Sequence, residues 1–243
     1  MGGLGQDVLR GGNGNDILIG DVDVRGGRTD TLNNDTMEGG AGNDTYYVNS
    51  AADGVVEAVG QGMDNVILTS AFASTAYTLA DNVENLSVLG TNAVSLTGNA
   101  LANTITGNAA NNSLVGGAGN DTLTGGAGAD QFAYITLRAF STSDVGQDTI
   151  TDFVQGTDRI TLSRQTFGLS STVGNGLSVA SEFASVNDAA SAEISAALVV
   201  FNRANNSLIY NQNGAAAGFG TGGAFATTTN VATIASSDFT IVV

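Results

Sequence analysis

A nine-residue alternation of glycine-rich stretches and single apolar positions dominates the hydrophobic pattern of this chain. Residues 116–133 read GGAGNDTLT and then GGAGADQFA, so that one large apolar residue, Leu123 or Phe132, follows each glycine-rich stretch. Three glycines in six residues disfavour helix and strand interiors. One apolar side chain between small or polar neighbours is typical of a very short strand with one buried face. The pattern therefore predicts turn and strand in strict repetition.

The same register extends well beyond this stretch. It runs back through Gly107 and Gly98, and it returns near the N-terminus from Gly2, Gly11 and Gly39. The apolar slot of these repeats is filled by Leu9, Leu18, Tyr46, Ile105, Leu114, Leu123 and Phe132. One repeat buries a single apolar side chain, which is too little to offset the ordering of nine residues. Neighbouring repeats must therefore stack around a shared core.

One turn of the N-terminal block is longer than the others. The nineteen residues from Gly20 to Glu38 stand where nine are expected, and they close with Asp35 and Met37 in their usual places. This spacing predicts a ten-residue insertion in the turn. The charged residues within it are Asp21, Asp23, Arg25, Arg28 and Asp30. They form either a further cation site or a solvated acidic loop.

The turns carry the chemistry of a cation site. Glycine-rich turns leave main-chain carbonyls unshielded, and an aspartate at position six adds two charged oxygens. Hard oxygen ligands at flexible spacing suit Ca²⁺, whereas Mg²⁺ requires a tighter octahedron and zinc prefers nitrogen or sulfur. With two turns per coil, an ion joins the carbonyls of one turn to the aspartate of the turn two repeats away. Each ion would then hold two coils together.

The motif GGxGxDxUx, in which U is a large apolar residue, resembles the repeat of the RTX (repeats-in-toxin) proteins. The resemblance implies an all-β chain folded as a parallel β-roll, several calcium ions in the turns, and export by type I secretion machinery. The alternative is a metal-free solenoid whose aspartates only cap turns. The implied metal-binding residues are Gly3, Gly5, Asp7, Gly12, Gly14, Asp16, Asp21, Asp35, Gly40, Gly42, Asp44, Gly117, Gly119, Asp121, Gly126, Gly128 and Asp130.

Two repeats depart from this motif. Asn103 and Asn112 stand where aspartate is expected, and Asn99 and Asn108 replace the second glycine. Asparagine offers only a neutral oxygen, so we expect these turns to bind Ca²⁺ weakly or not at all. Asp53 follows no glycine-rich turn, so we place it outside the register of the repeats. We therefore expect its replacement to matter little.

The chain divides into a roll and a closing region. Residues 1–133 are the predicted roll, with a calcium-rich segment 1–48, a metal-poor middle 49–97 and a second repeat block 98–133. In the middle segment the nine-residue period loosens, but strand patterns persist. Its phrase NVENLSVLG resembles one that recurs in RTX-type bacterial proteins, so we expect a continuous solenoid. Residues 134–243 are predicted to cap the roll and to carry the export signal.

The closing region contains its own acidic motif. Residues 147–163, QDTITDFVQGTDRITLS, resemble the segment that follows the roll in serralysin-type proteases. Asp148 and Asp152, together with Asp158, would hold one more ion; alternatively, Asp158 forms a salt bridge with Arg159 or Arg164. Further on, we predict a short helix within 181–197 and a strand pair that turns at residues 205–206. The terminal DFTIVV is similar to the C-termini of type I substrates and predicts a last strand.

Composition limits the possible functions. Seven basic and 23 acidic residues give a net charge of −16, which leaves no basic surface for nucleic acid. No apolar run reaches the length of a membrane span. The absence of histidine, lysine and cysteine excludes serralysin-type zinc chemistry, Ser-His triads, Schiff bases and cysteine nucleophiles. We therefore expect no enzyme, although carboxylate-pair glycoside hydrolysis is compatible with the composition.

Two functions remain from the sequence. The first is an extracellular calcium-binding structural protein that self-assembles at the cell surface. A chain that begins within a repeat would expose a coil edge, which favours head-to-tail association. The second is the C-terminal calcium-binding and export module of a larger secreted enzyme or toxin. Calcium and the type I secretion machinery are partners in both cases.

Overall fold

The computed structural model describes residues 1–3, 5–21 and 33–243. Short parallel strands form two walls, and the chain passes from one wall to the other at each turn. The strands of the first wall are β2 (Ile17–Ile19), β4 (Thr45–Val48), β6 (Asn65–Leu68), β8 (Asn85–Val88), β10 (Thr104–Thr106), β12 (Thr122–Thr124) and β14 (Asp148–Ile150). The fold is the parallel β-roll that the nine-residue repeat predicts.

Two sheets make up the second wall. The first contains β1 (Val8–Asn13), β3 (Thr36–Ala41) and β5 (Gly54–Val56). The second contains β7 (Ala76–Thr78), β9 (Ser95–Thr97), β11 (Ser113–Val115), β13 (Gln131–Tyr134), β15 (Arg159–Ser163) and β20 (Phe239–Val242). All pairings within these two sheets are parallel.

The apolar slot of the repeat forms the core of the roll. Parallel pairing places the slot residue of each strand beside that of the next coil. Along the first wall the aligned residues are Leu18, Tyr46, Val66, Leu86, Ile105, Leu123 and Ile150, all buried. Along the larger sheet of the second wall they are Tyr77, Leu96, Leu114, Phe132, Ile160 and Phe239, also buried. This confirms that single apolar residues build a shared core by stacking.

The spacing of the coils confirms the predicted insertion. The Asn103 N–H bonds to the Asp121 carboxylate 18 residues later. The corresponding bond from the Asp7 N–H reaches Asp35, 28 residues later, so ten extra residues separate the two turns (28 − 18). Residues 22–32, which include the four charged residues Asp23, Arg25, Arg28 and Asp30, lie outside the described residues.

The middle segment continues the roll, as predicted. β4 pairs with β6, β6 with β8 and β8 with β10, all in parallel. The strand ladder also runs past residue 133, because β13 pairs with β15 and β12 with β14. The predicted boundary thus falls inside β13, and the division into roll and cap stays a prediction.

The closing region extends the first wall. The strands β16 (Phe183–Val186), β17 (Val199–Asn202), β18 (Ser207–Tyr210) and β19 (Gly223–Thr228) join it through β14. β17 and β18 form the predicted antiparallel pair, and Asn206 adopts φ 55° at their turn. The terminal strand β20 lies parallel to β15, as expected.

Short helices and aromatic side chains complete the closing region. The helices are α1 (Thr142–Val145), α2 (Arg164–Phe167) and α3 (Ala189–Glu193), with 3₁₀ turns at Ala180–Glu182 and Ser236–Asp238. The predicted short helix is α3, capped by the Asp188 carboxylate. Phe140, Phe167, Tyr210 and Phe225 pack with ring centroids 4.8 to 6.2 Å apart. They give this end of the roll a core that no single repeat provides.

Candidate metal centre

Position six of the repeat forms a ladder along each edge of the roll. The N–H of Asp16 donates to Asp44 Oδ1 at 2.7 Å, and the N–H of Asp44 donates to Asp64 Oδ1 at 2.7 Å. The same bond joins residues 7 and 35, 103 and 121, 112 and 130, and 121 and 148. One oxygen of each acceptor carboxylate thus links two coils through a charge-assisted hydrogen bond.

Among the described residues, several aspartates of the ladder have a carboxylate oxygen that is buried without a hydrogen-bond partner. Within the described residues this holds for the Oδ2 atoms of Asp7, Asp16, Asp35, Asp44 and Asp121. A Cβ built on Gly11 would lie 2.6 Å from Asp16 Oδ2 and 2.6 Å from the Gly39 carbonyl oxygen of the next coil. The missing side chain therefore lets a carboxylate and a main-chain oxygen converge.

This arrangement fits Ca²⁺. A buried carboxylate oxygen without a partner is costly, because it loses its water and gains nothing in return. A cation beside it restores the lost interaction, and the neighbouring carbonyl adds a second hard ligand. The second and third glycines of the complete repeats also adopt positive φ, for example 102° at Gly117 and 104° at Gly119. L-residues rarely adopt such angles, so only glycine holds this turn without strain.

The electrostatics of the second repeat block agree with a need for cations. Burial, with a smaller contribution from the nearby carboxylates of Asp158 and Asp152, raises the pKa of Asp130 to about 6. Burial also raises the pKa of Asp121 and of Asp148, which stand next to each other in the ladder. In the absence of an ion, these carboxylates are therefore held in a setting that disfavours their charged form.

The asparagine repeats satisfy the same positions with hydrogen bonds. Asn103 Oδ1 accepts the Asn99 N–H at 2.8 Å, and Asn112 Oδ1 accepts the Asn108 N–H at 2.9 Å. The Asn99 amide also donates at 2.7 Å to the carbonyls of Ala80 and Val83 in the preceding coil. The position-six oxygen that has no partner in Asp121 is here engaged by an N–H group. This geometry supports the expectation of weak or absent binding.

The three acidic residues predicted to bind an ion in the closing region, Asp148, Asp152 and Asp158, accept hydrogen bonds from different parts of the main chain. Asp148 is buried and extends the ladder by accepting the Asp121 N–H at 3.1 Å. The two oxygens of Asp152 accept the N–H groups of Gly125 and Gly126, so this carboxylate caps a turn. Asp158 accepts the N–H groups of Asp130 and Val154. Its hydrogen bonds thus favour a main-chain role over the alternative of a salt bridge.

The remaining predicted residues flank the insertion. Asp35 is buried in the ladder, and desolvation raises its pKa. Asp21 accepts a hydrogen bond from the Asn49 amide at 3.1 Å. The metal-binding role of every predicted residue stays a prediction, since the geometry shows only which oxygens converge.

The structure contradicts the placement of Asp53 outside the register, and the effect of its replacement stays a prediction. Asp53 directly precedes β5 and is 7% exposed, and its Oδ1 accepts the Asp35 N–H at 3.2 Å. Its Oδ2 accepts the N–H groups of Asn49 and Ser50. Asp53 therefore takes position six of its own coil. Asp53 lies nine residues after Asp44, so it keeps the spacing of the repeats, and it was missed because no glycine-rich turn precedes it.

Sequence reasoning also missed acidic residues of the middle segment. Asp64 is buried and accepts the Asp44 N–H, while its own N–H donates to Glu84 Oε2 at 2.7 Å. Both residues directly precede a strand, as position six requires. That signal was available in the sequence, but coils of 20 residues instead of 18 hid it.

Known proteins support this assignment. The model of the RTX calcium-binding nonapeptide repeat matches residues 1–23, 29–55 and 97–132 in four copies. The chain carries RTX-type calcium-binding repeats. The matched ranges contain the complete repeats at residues 2, 11, 39, 116 and 125, and they leave Glu57, Asp64 and Asp148 outside. RTX calcium binding is thus shown for the repeats, and the number of ions is not fixed by the match.

A partial similarity links this chain to a larger protein. The endo-1,3-1,4-beta-glycanase ExsH of Rhizobium meliloti is 39% identical over 98 residues. The match covers 40% of this chain but only 18% of the glycanase, so most of that relative has no counterpart here. Across the described residues, we find no helix with the length and apolar character needed to cross a membrane.

Proposed function

We propose that this protein is an extracellular structural module whose β-roll folds when Ca²⁺ enters the aspartate turns after type I export. The observation that carries the proposal is the row of buried aspartate oxygens without a partner among the described residues. The RTX repeats are calcium-binding, and proteins with such repeats are typically secreted. The resemblance of residues 147–163 and of the last strand to type I substrates supports the export route.

The expected energies make calcium decisive for folding. Extracellular calcium modules bind with dissociation constants of about 10⁻⁴ to 10⁻³ M. At a calcium concentration about ten times that constant, each ion stabilises the fold by roughly 1.4 kcal/mol. Four or five such ions contribute more than about 5 kcal/mol, a typical stability for a whole domain. Where free Ca²⁺ falls far below these constants, this contribution vanishes and the unfolded state predominates at neutral pH.

Circular dichroism tests this proposal. Protein in excess chelator at low ionic strength should lose its β-sheet signal and regain it when Ca²⁺ is restored. Mg²⁺ at the same concentration is the control, because it dehydrates reluctantly and needs tighter geometry. An unchanged β-sheet signal in chelator would contradict calcium-dependent folding.

Self-assembly into a filament or surface layer is the more specific role that we propose. The net charge of −16 opposes contact between copies. Divalent cations screen this charge, so calcium would permit the contact that the charge otherwise prevents. The alternative role, as the calcium-binding part of a larger secreted enzyme, is supported by the partial match to a glycanase. Light scattering at millimolar calcium separates the two. Reversible growth in size supports assembly, whereas a monomer at high concentration favours the module.

We infer that the roll has no catalytic activity of its own. The chain contains no histidine, lysine or cysteine, and the carboxylates of the ladder accept main-chain hydrogen bonds. Incubation with a β-1,3-1,4-linked glycan is the sharpest check, since the matched relative is named for that class. Release of reducing ends above a buffer control would overturn this inference.

A further inference from the structure

Three acidic side chains meet where the nonapeptide pattern breaks down, between β5 and β6. The pairing of β3 with β5 aligns Glu38 with Val56, so the following residue, Glu57, stands opposite Gly39. Gly39 is the first glycine of its repeat. Glu57 therefore occupies a place that is glycine in the complete repeats, and it brings a long carboxylate side chain to the edge of the roll. It lies outside the residues that the repeat model matches.

The cluster is compact and buried. One carboxylate oxygen from each of Asp44, Glu57 and Asp64 lies within 4.8 Å of the others. Their relative exposures are 1%, 9% and 1%. A Cβ built on Gly39 would collide with Asp44 Oδ2, Glu57 Oε1 and the Tyr46 hydroxyl oxygen. All these oxygens therefore converge on the same stretch of main chain.

Two of the carboxylate oxygens are unsatisfied. Asp44 Oδ2 and Glu57 Oε2 are buried and have no hydrogen-bond partner within the part of the chain that the structure describes. The other Glu57 oxygen accepts the Tyr46 hydroxyl proton in a short hydrogen bond. This bond fixes the direction of the Glu57 side chain. A buried carboxylate that is held in place but lacks a partner indicates a ligand beside it.

No cationic side chain of residues 1–3, 5–21 and 33–243 forms an ion pair with this cluster. Among the described residues, the ion pair of the structure joins Arg10 to Glu38 on the outer surface and leaves the cluster unpaired. Three carboxylates at this separation repel one another strongly in a buried setting. A bound cation removes this repulsion and satisfies both orphaned oxygens. Hard, negatively charged oxygen ligands of this kind select Ca²⁺ or a lanthanide over zinc.

We propose that Glu57 and Asp64, which lie outside the complete repeats, join Asp44 as ligands of one calcium ion at the start of the middle segment. This site differs from the repeat sites because a side-chain carboxylate is supplied from a position that is glycine in the complete repeats. Asp44, Glu57 and Asp64 are the ligands, and Tyr46 is a positioning residue that acts through Glu57. The proposal rests on the proposed calcium-dependent function only for the identity of the ion. It makes the segment predicted to be metal-poor a binding region.

Terbium luminescence and equilibrium dialysis test the site. Tb³⁺ replaces Ca²⁺ and emits when an adjacent tyrosine is excited, and the chain contains no tryptophan to obscure this transfer. We expect Glu57→Gln to bind one Ca²⁺ fewer than the wild type and to lose most of the tyrosine-sensitised emission. Glu38→Gln is the matched control, because it removes one carboxylate next to Gly39 on the exposed face. It should keep both the ion count and the emission.

A second variant separates binding from folding. Tyr46→Phe keeps the buried ring but removes the hydroxyl, so the ion count at saturation should be unchanged. Its affinity for that ion should fall by about tenfold, as is common when a group that orients a metal ligand is removed. Equal ion counts and affinities in Glu57→Gln and Glu38→Gln would overturn the proposal and leave only a structural Tyr46–Glu57 hydrogen bond. A wild type that binds no Ca²⁺ would overturn the proposed function as well.

Discussion

Two neighbouring turns on the same edge of the roll differ in how the buried side-chain oxygen at position six is satisfied. In the turn at residues 116–121, Asp121 has a buried Oδ2 atom with no partner among the described residues. In the turn at residues 98–103, the corresponding oxygen of Asn103 accepts the Asn99 N–H at 2.8 Å. The first turn carries a charge that only an external cation balances. The second is neutral and satisfied from within.

The second position of the repeat decides between these solutions. Gly117 adopts φ 102°, whereas Asn99 is not among the non-glycine residues with positive φ. The different main-chain direction lets the Asn99 N–H reach the position-six oxygen, and its amide reaches the preceding coil. We therefore propose that calcium dependence is a property of individual turns, and we expect the Asn99 and Asn108 turns to link coils without calcium.

Asp121→Asn should produce the largest effect that depends on calcium. The variant keeps an acceptor for the Asn103 N–H but removes the charge, so the ion loses its main ligand. In excess Ca²⁺ we expect a loss of roughly 1.4 kcal/mol, the value of one ion at ten times its dissociation constant. In calcium-free buffer the folded fraction should be equal or higher, because a buried charge has gone. A urea titration in excess Ca²⁺ and the circular dichroism signal in calcium-free buffer measure these two effects; a loss of stability in both buffers would contradict the comparison.

Asp53→Ala tests the corrected register. The replacement leaves the N–H groups of Asp35, Asn49 and Ser50 without their acceptor. Unsatisfied buried donors cost about 1–3 kcal/mol, so the variant should be destabilised by roughly that amount even in excess calcium. Asp81→Ala, at an exposed position, is the matched control. Equal stability of both variants in urea would show that Asp53 does not contribute to the ladder.

The stability of the calcium-free roll should depend on pH through its buried aspartates. Without calcium, the pKa of Asp130 lies at about 6, raised by burial, against 3.8 for an ordinary aspartate. The folded state then holds more protons than the unfolded state between these values, so stability falls as pH rises from about 4 through 6. The raised pKa values of Asp121 and Asp148 act in the same direction.

We therefore expect calcium-free, dialysed protein to gain folded fraction as the pH is lowered from 8 to 5. The melting temperature should rise by at least about 2–4 °C, which corresponds to about 1 kcal/mol for a chain of this size. Saturating calcium should remove this trend at neutral pH, because the ion replaces the proton. Thermal melts followed by circular dichroism check both conditions. A melting temperature that falls on acidification would have the wrong sign.

Arg10→Ala should have the smallest effect. Its guanidinium pairs with Glu38 at 2.6 Å, but the two side chains are 70% and 37% exposed. Solvent and salt screen such a pair, so no change beyond experimental error is expected with or without calcium. A loss comparable to that of Asp53→Ala would show that surface charge, rather than the buried ladder, governs the stability of the roll.

The sequence predicts the roll itself well, because its determinants are local and repeated. Glycines at fixed positions set the turns, and one apolar residue per repeat, such as Leu114, sets the core. The ladder is harder to predict, because it depends on which residues become neighbours in adjacent coils. Asp53 follows no glycine-rich turn, and Asp64 follows a coil of 20 residues. Asp53 keeps the nine-residue spacing from Asp44 but lacks the glycines of the motif, whereas strand pairing buries Asp64 at a spacing of 20 residues that the register does not show.

The Asp44, Glu57 and Asp64 cluster illustrates the same limit. Glu57 lies 13 positions after Asp44, and nothing in that spacing indicates a shared site. The pairing of β3 with β5 and of β4 with β6 brings them together. The sequence could therefore predict the calcium chemistry of the complete repeats, but not the site in the middle segment.

Anomalous diffraction from calcium-loaded crystals tests the central claim most directly. The account predicts anomalous peaks beside the Oδ2 atoms of the aspartate turns, including Asp16, Asp44 and Asp121. It predicts no peak where the Asn99 and Asn108 amides donate to the preceding coil. Peaks of equal height at both kinds of turn, or no peak at Asp121, would contradict the division between calcium-bound and self-sufficient turns.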